Sequence, residues 1–173
     1  MRIQRLSGRH VLQGFDCGVK DLNDWLDRHA QENEHRNLSR TFVLIDDADQ
    51  VIGYYSLTMG GVQAADLPKK IGRGLPGFDI GMVLLARLAL ARALHGQGLG
   101  RNLMVDAILR AATAGDNAAA RFIAVDPIDE SARGFYRAFG FQDIAGDEQG
   151  RMYLRIDEAL IALGVGIRTS DDD

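Results

Sequence analysis

The chain begins with a loosely alternating run, Met1–Leu6, which predicts an edge strand, and the period changes at Val19. Val19, Leu22, Leu26 and Ala30 recur at helical spacing with Trp25 beside them, while Lys20, Asp21, Asn23, Asp24, Asp27 and Arg28 take the opposite face. A stripe of this kind predicts an amphipathic helix lying on a core. Asp16, in the turn Phe15-Asp16-Cys17-Gly18, stands where an N-cap is expected. The polar stretch Gln31–Arg40 either extends that helix or forms an exposed second one. Thr41–Ile45 and Val51–Met59 are β-type runs separated by Asp46–Gln50, which predicts a hairpin. Gly53, inside the second run, marks a bulge or a close approach of another backbone or side chain.

Gly60–Ile80 breaks the periodicity with Gly60, Gly61, Pro68, Gly72, Gly74, Pro76 and Gly77. It reads as a long irregular loop with one helical turn within Ala64–Ile71. Met82–Leu90 is apolar on both faces apart from Arg87, as a central strand is. The glycine-rich turn Gly96-Gln97-Gly98-Leu99-Gly100 follows, and Leu99–Ala114 then has Leu99, Leu103, Ala107 and Ala111 on one helical face. Gly115 is the expected stop. Arg121–Asp126 is a second buried strand, Ser131–Phe139 a short helix with Asp129 as its cap, and Gly140 its terminator. Phe141–Ile144 and Met152–Ile156 make a closing hairpin around a GDEQG turn, and Asp157–Leu163 a last helical turn or two. The order β-α-(α)-β-β-loop-β-α-β-α-β-β predicts an α/β chain with a mixed sheet, hairpins at both ends and helical crossovers in the middle.

Composition narrows the class. With 173 residues, 46% of them apolar, the expectation is one domain over residues 1–168 and a disordered acidic tail at 169–173. No run approaches the ~20 apolar residues of a membrane span, and the N-terminus lacks the apolar segment of a signal peptide. One cysteine, Cys17, precludes an internal disulfide, so a cytoplasmic protein is expected. The net charge of −4 argues mildly against a nucleic-acid partner. Lys69, Lys70, Arg73, Arg87 and Arg92 nevertheless fall in one central stretch, and it is the local field that steers a partner.

A strand, a glycine turn and a helix N-terminus together offer unsatisfied N–H groups and a partial positive charge to an anion. Gly96, Gly98 and Gly100 do not have the Gly-x-Gly-x-x-Gly spacing of a dinucleotide fold, and Gly100-Arg101-Asn102 is not the Gly-Lys-Ser/Thr of an ATP loop. The turn resembles the Gln/Arg-x-x-Gly-x-Gly/Ala pyrophosphate loop of the GCN5-related N-acetyltransferases, with His95 in place of the Gln or Arg. Asp129–Phe141 (DESARGFYRAFGF) is similar to the Ala-x-x-Phe-Tyr-x-x-x-Gly-Phe block of that superfamily. Phe15–Gly18, Leu22–Leu26, Val51–Leu57 and Arg87-Leu88-Ala89 resemble the TacT-like acetyltransferase toxins of type II toxin–antitoxin systems.

That resemblance implies a GNAT fold, a mixed central sheet with splayed middle strands and flanking helices. The cofactor would lie in the opening between the Met82–Leu90 and Arg121–Asp126 strands. It implies acetyl-CoA as cosubstrate, held by the backbone of Leu88, Ala89 and Leu90 and by His95, Gly96, Gln97, Gly98, Leu99, Gly100 and Arg101. It implies acetylation of the α-amine of aminoacyl-tRNA, which blocks translation, and a ribbon-helix-helix (DUF1778-type) antitoxin as partner, with the toxin a homodimer. Tyr136 matches the family's general acid: a phenol with a pKa near ~10 can hand a proton to the departing thiolate. No Glu or His stands out as a base. An α-amine with a pKa of ~7.7–8.0 needs one far less than a lysine at ~10.4. Lys69, Lys70, Arg73, Arg87 and Arg92 would form a rim for the tRNA acceptor end. Cys17 is expected to be structural or capping, and His10, His29 and His35 have no metal-ligand company. The alternatives are an acetyltransferase for a small-molecule or protein amine, and a non-catalytic acetyl-CoA-binding regulator.

Overall fold

A computed structural model describes residues 1–67, 69–144 and 150–164, without the side chains of Lys70 and Ile71. The acidic tail expected at 169–173 and most of the GDEQG turn lie outside the described residues. Seven strands hydrogen-bond in the order β1-β2-β3-β4-β5-β7-β6: β1 Arg2–Arg5, β2 Arg40–Ile45, β3 Val51–Val62, β4 Ile80–Leu90, β5 Ala120–Val125, β6 Gln142–Asp143 and β7 Met152–Arg155. The helices are α1 Lys20–Arg28, α2 Ala30–His35, α3 Lys69–Gly72, α4 Leu99–Ala118, α5 Glu130–Arg137 and α6 Ile156–Ala162. The mixed α/β order read from the sequence is the order found. The chain divides into two compact units, one of Met1–Thr58 with Leu85–Ala107, the other of Met59–Leu84 with Ile108–Asp173.

In the first unit β1, β2 and β3 form an antiparallel ladder, with Ile3 opposite Leu44 and Val43 opposite Tyr54. Helix α1 lays Trp25 and Leu26 against Val43, Ile45, Val51 and Tyr54, and the Trp25 ring stacks on Tyr54 at 5.7 Å. Asp16 is not the cap of this helix. The residue before α1 is Val19, whose side chain cannot accept a hydrogen bond, and Asp16 instead ties the preceding turn. Its Oδ1 accepts from the Gly18 N–H at 2.8 Å and from the Asn23 amide at 3.1 Å, while Asn23 Oδ1 accepts from the Cys17 N–H.

The polar stretch after α1 is a separate short helix, because the chain breaks at His29. This helix is not wholly exposed. Glu34 is buried and accepts from the Thr41 N–H at 2.8 Å, from Arg5 Nε at 2.5 Å and from Arg40, so it joins α2 to the first two strands. Glu34→Ala should destabilise the protein by about 2 kcal/mol, since it strands the buried Thr41 N–H. Glu34→Gln, which keeps an acceptor, should lose less. Urea denaturation midpoints would show the ranking, and equal losses would contradict it.

Both readings of Gly53 hold. The β2–β3 register slips between Leu44, opposite Gly53, and Ile45, opposite Val51. A Cβ at Gly53 would also fall 2.8 Å from Leu103 Cδ1 and 3.3 Å from the Ala89 carbonyl oxygen.

In the second unit the supposed loop is partly strand: β3 runs on to Val62, a 3-10 turn covers Ala64–Asp66, and β4 begins at Ile80. Gly60 faces Met82 and Gly61 faces Asp79, a falling register that makes these strands antiparallel. Gly81 lies against Ala119 and Ala120, so β4 and β5 start side by side and run parallel, joined by the α4 crossover. Gly115 does not stop α4. A Cβ there would sit 2.6 Å from Ile156 Cδ1 and 3.0 Å from the Ala120 carbonyl oxygen, so this glycine serves packing, and the helix ends where Ala119 turns to φ +56°. Strand β7 pairs antiparallel with β5 and with β6, and Phe122 meets Tyr153 edge-on at 5.9 Å. Asp129 does cap α5, accepting from the Ala132 N–H at 2.7 Å, and Gly140 ends the turn after it at φ +89°.

Candidate active site

The residues expected to hold a cofactor form one continuous path in the first unit. Leu88, Ala89 and Leu90 end β4, with Ala89 and Leu90 buried. A 3-10 turn, Arg92–Leu94, then leads to the glycines. Gly96 and Gly98 have φ of +75° and +78°, and a Cβ built at either would meet nothing within 4 Å. They are therefore needed for their backbone conformation, since L residues enter the left-handed region only at a cost. Both Arg101 N–H and Asn102 N–H bond to the Gly98 carbonyl, which closes the first turn of α4 and leaves the N–H groups of Leu99 and Gly100 without intrahelical partners. Left-handed glycines leading into the N-terminus of a 20-residue helix fit a pyrophosphate. His95, standing where the motif has Gln or Arg, ties the loop to the strand: its Nε2 donates to the Leu90 carbonyl at 2.9 Å, at the end of β4.

Two of the basic residues lie in the same unit, each already engaged. Arg92 pairs with Asp16 at 2.5 Å, and its N–H bonds to the Asp16 carbonyl at 3.0 Å. The Gly18 N–H and the Asn23 amide hold the Asp16 carboxyl below the usual carboxylate range, with Arg92 adding to the effect. The Arg87 guanidinium lies 4.2 Å above the Trp25 ring, and burial draws its pKa down. It makes no ion pair among the described residues. Cys17 is buried with its thiol directed at Asn23 Oδ1 at 3.0 Å, and burial pushes its pKa up. A nucleophile needs the opposite shift.

In the second unit Lys69 and Arg73 line an open cavity with Ala64, Ala65, Leu67 and Gly72. The Lys70 side chain lies outside the described residues. Tyr136 is on α5, 8% exposed, with its ring 5.6 Å from that of Phe135 and 5.7 Å from that of Phe141. Its hydroxyl makes no hydrogen bond among the described residues. Burial, helped by the nearby Asp126 carboxylate, pushes the phenol up to about 12, so it keeps its proton throughout the neutral range. Among the described residues no cluster of His, Cys, Asp or Glu could hold a metal ion.

Residues 37–143 match the family described as the acetyltransferase (GNAT) domain. The chain is a GNAT acetyltransferase. This acetyltransferase is 37% identical over 139 residues, 80% of its own length and 82% of the relative's, to a tRNA-acetylating toxin of Mycobacterium tuberculosis. It is also similar to the solved structure of AtaT complexed with acetyl-methionyl-tRNAfMet, with a TM-score of 0.86, 28% identity and 94% and 98% of the two chains covered. A third likeness is to AtaTR bound with acetyl-CoA, at TM-score 0.82 and 29% identity over 94% and 97% of the chains. The seven-stranded mixed sheet with flanking helices is thus the GNAT sheet expected from the two sequence motifs. No helix among the described residues of the acetyltransferase is long and apolar enough to cross a membrane.

The polar contacts around the Tyr136 helix had no sequence signal. Arg151 holds Asp126 through two bonds, Nε–Oδ1 at 2.7 Å and Nη2–Oδ2 at 2.8 Å. Arg133 and Arg137 both bond to Asp143. The partners are up to 25 positions apart in the sequence, and only the β5–β7–β6 register brings them together.

Proposed function

We propose that this acetyltransferase moves acetyl from acetyl-CoA to the α-amine of aminoacyl-tRNA and so blocks translation. The observation that carries the reading is its similarity, over four-fifths of its length, to a tRNA-acetylating toxin. Gly96–Arg101 takes the pyrophosphate at the α4 N-terminus, and the β4 backbone at Leu88–Leu90 takes the pantetheine arm. In the transfer a C–N bond forms as the thioester C–S bond breaks. The amine gives up one proton to solvent, and the thiolate receives one from Tyr136 Oη. The phenol then recovers its proton from solvent. The buried surroundings that raise the phenol disfavour a bare thiolate too, which keeps the proton transfer matched. Lys69, Lys70, Arg73, Arg87 and Arg92 contact tRNA phosphates, a sequence-blind and salt-sensitive interaction.

A ribbon-helix-helix antitoxin silences the enzyme in the cytoplasm, where it acts as a homodimer. The support for a protein partner is the solved complex of a similar toxin, AtaT in Tyr-to-Phe mutant form, with the C-terminus of its antitoxin AtaR and acetyl-CoA. The deciding experiment incubates the enzyme with charged tRNA and acetyl-labelled acetyl-CoA. Label should appear on tRNA and leave with the amino acid when the ester is hydrolysed. Label absent from every aminoacyl-tRNA, with transfer to a free or protein amine instead, would overturn the reading.

A further inference from the structure

Strand β7 is entered through Gly150 and Arg151, and this pair bonds to Asp126 after β5, to Ile144 after β6 and to Arg133 on the Tyr136 helix. The β5–β7 register sets Val125 opposite Met152, so the next residues out, Asp126 and Arg151, meet as a bidentate ion pair across the strand ends. On the other side the Arg151 carbonyl accepts from the Ile144 N–H at 3.2 Å. Next to it, the Gly150 carbonyl accepts from Arg133 Nη2 at 2.9 Å. Arg133 is on α5, one turn before Tyr136, and its side chain is only 19% exposed. Gly150 is at φ +70°, which strains any L side chain, and a Cβ there would lie 2.6 Å from Arg133 Nη2 and push the guanidinium from its seat. Arg133 and Arg137 converge on Asp143 of β6, and Glu130 bonds to Arg137 at 2.9 Å.

We propose that Arg151 is a positioning residue for acetyl transfer: it caps the Asp126 carboxylate, while Gly150 beside it anchors the Tyr136 helix through Arg133. The inference rests on Tyr136 being the proton donor. Bidentate guanidinium–carboxylate geometry fixes both partners, and a cap on the carboxylate screens its field from the phenol. The Asp126 charge does reach Tyr136 and opposes loss of its proton. Without Arg151 that carboxylate loses its guanidinium partner and keeps only solvent, and the phenol becomes a weaker acid. Among the described residues, Glu130, Arg133, Arg137 and Asp143 pair among themselves, and Asp129 is bonded to the Ala132 N–H as the cap of the helix.

The test compares Arg151→Gln, Asp126→Asn, the double variant, and each in a Tyr136→Phe background, by steady-state kinetics. Arg151→Gln should lower kcat about tenfold with KM for acetyl-CoA within twofold. The double variant should recover most of the loss, because the offending charge is gone. In the Tyr136→Phe background Arg151→Gln should change nothing further. An equal loss in that background, or no recovery in the double variant, would overturn the positioning role. A Tyr136→Phe enzyme as fast as wild type would overturn the proton-donor assignment itself, which is a separate outcome. Should Arg151→Gln fail to fold, Gly150→Ala tests the other half of the seat. It should lower kcat in the Tyr136 enzyme and leave the residual Tyr136→Phe rate alone, and an equal effect on both would overturn the proposal.

Discussion

Tyr136→Phe should lower kcat by roughly 100- to 10,000-fold and leave acetyl-CoA binding near its original strength. The change removes one oxygen from a ring that keeps its contacts with Phe135 and Phe141. The hydroxyl has no hydrogen bond among the described residues, so the fold loses nothing by its removal, and thermal unfolding should be nearly unchanged. Any loss of rate then belongs to the proton. Because burial and the Asp126 carboxylate push the phenol up to about 12, the acid form persists at every practical pH. In the wild-type enzyme kcat/KM should therefore rise as the acceptor amine loses its proton, at or below ~8, and then stay level to about pH 10. Initial rates with calorimetric titration of acetyl-CoA would check all three quantities. A kcat that survives the substitution removes Tyr136 from the reaction.

Gly98→Val should weaken acetyl-CoA binding by about tenfold or more. A left-handed conformation costs an L residue about 1–2 kcal/mol, and a β-branched one more. Each 1.4 kcal/mol is a factor of ten in affinity. The glycine is at φ +78° with open space where a side chain would stand, so nothing in the core is displaced and the penalty falls on the loop. Relaxing to a negative φ would turn the Gly98–Leu99 N–H groups away from the anion. Gly96→Val should act in the same direction, through its φ of +75°. Calorimetry with acetyl-CoA measures the loss, and circular dichroism confirms the fold. Wild-type affinity in both variants would show that the pyrophosphate binds elsewhere.

What could be read from the chain was what is local. Asp129 announced the start of α5 because a cap acts within three residues, and Gly96 and Gly98 announced the loop because backbone conformation is a property of single positions. Gly53 was also legible, as a gap in a strand that wants side chains. Gly115 misled, since a glycine that admits Ile156 and the Ala120 carbonyl looks in sequence like one that ends a helix. Asp16 misled in the same manner, because an Asp that ties its own turn and one that caps a helix share the same spacing. Glu34 and the Asp126–Arg151 pair were beyond reach. An acidic residue in a polar run carries no mark that two arginines and a strand amide will close around it.

The bond from His95 to the Leu90 carbonyl bears on how the enzyme is loaded. A loop fastened to the end of β4 has less conformational entropy to surrender when acetyl-CoA binds it as proposed. Capture is then governed by encounter, without a wait for the loop to order itself.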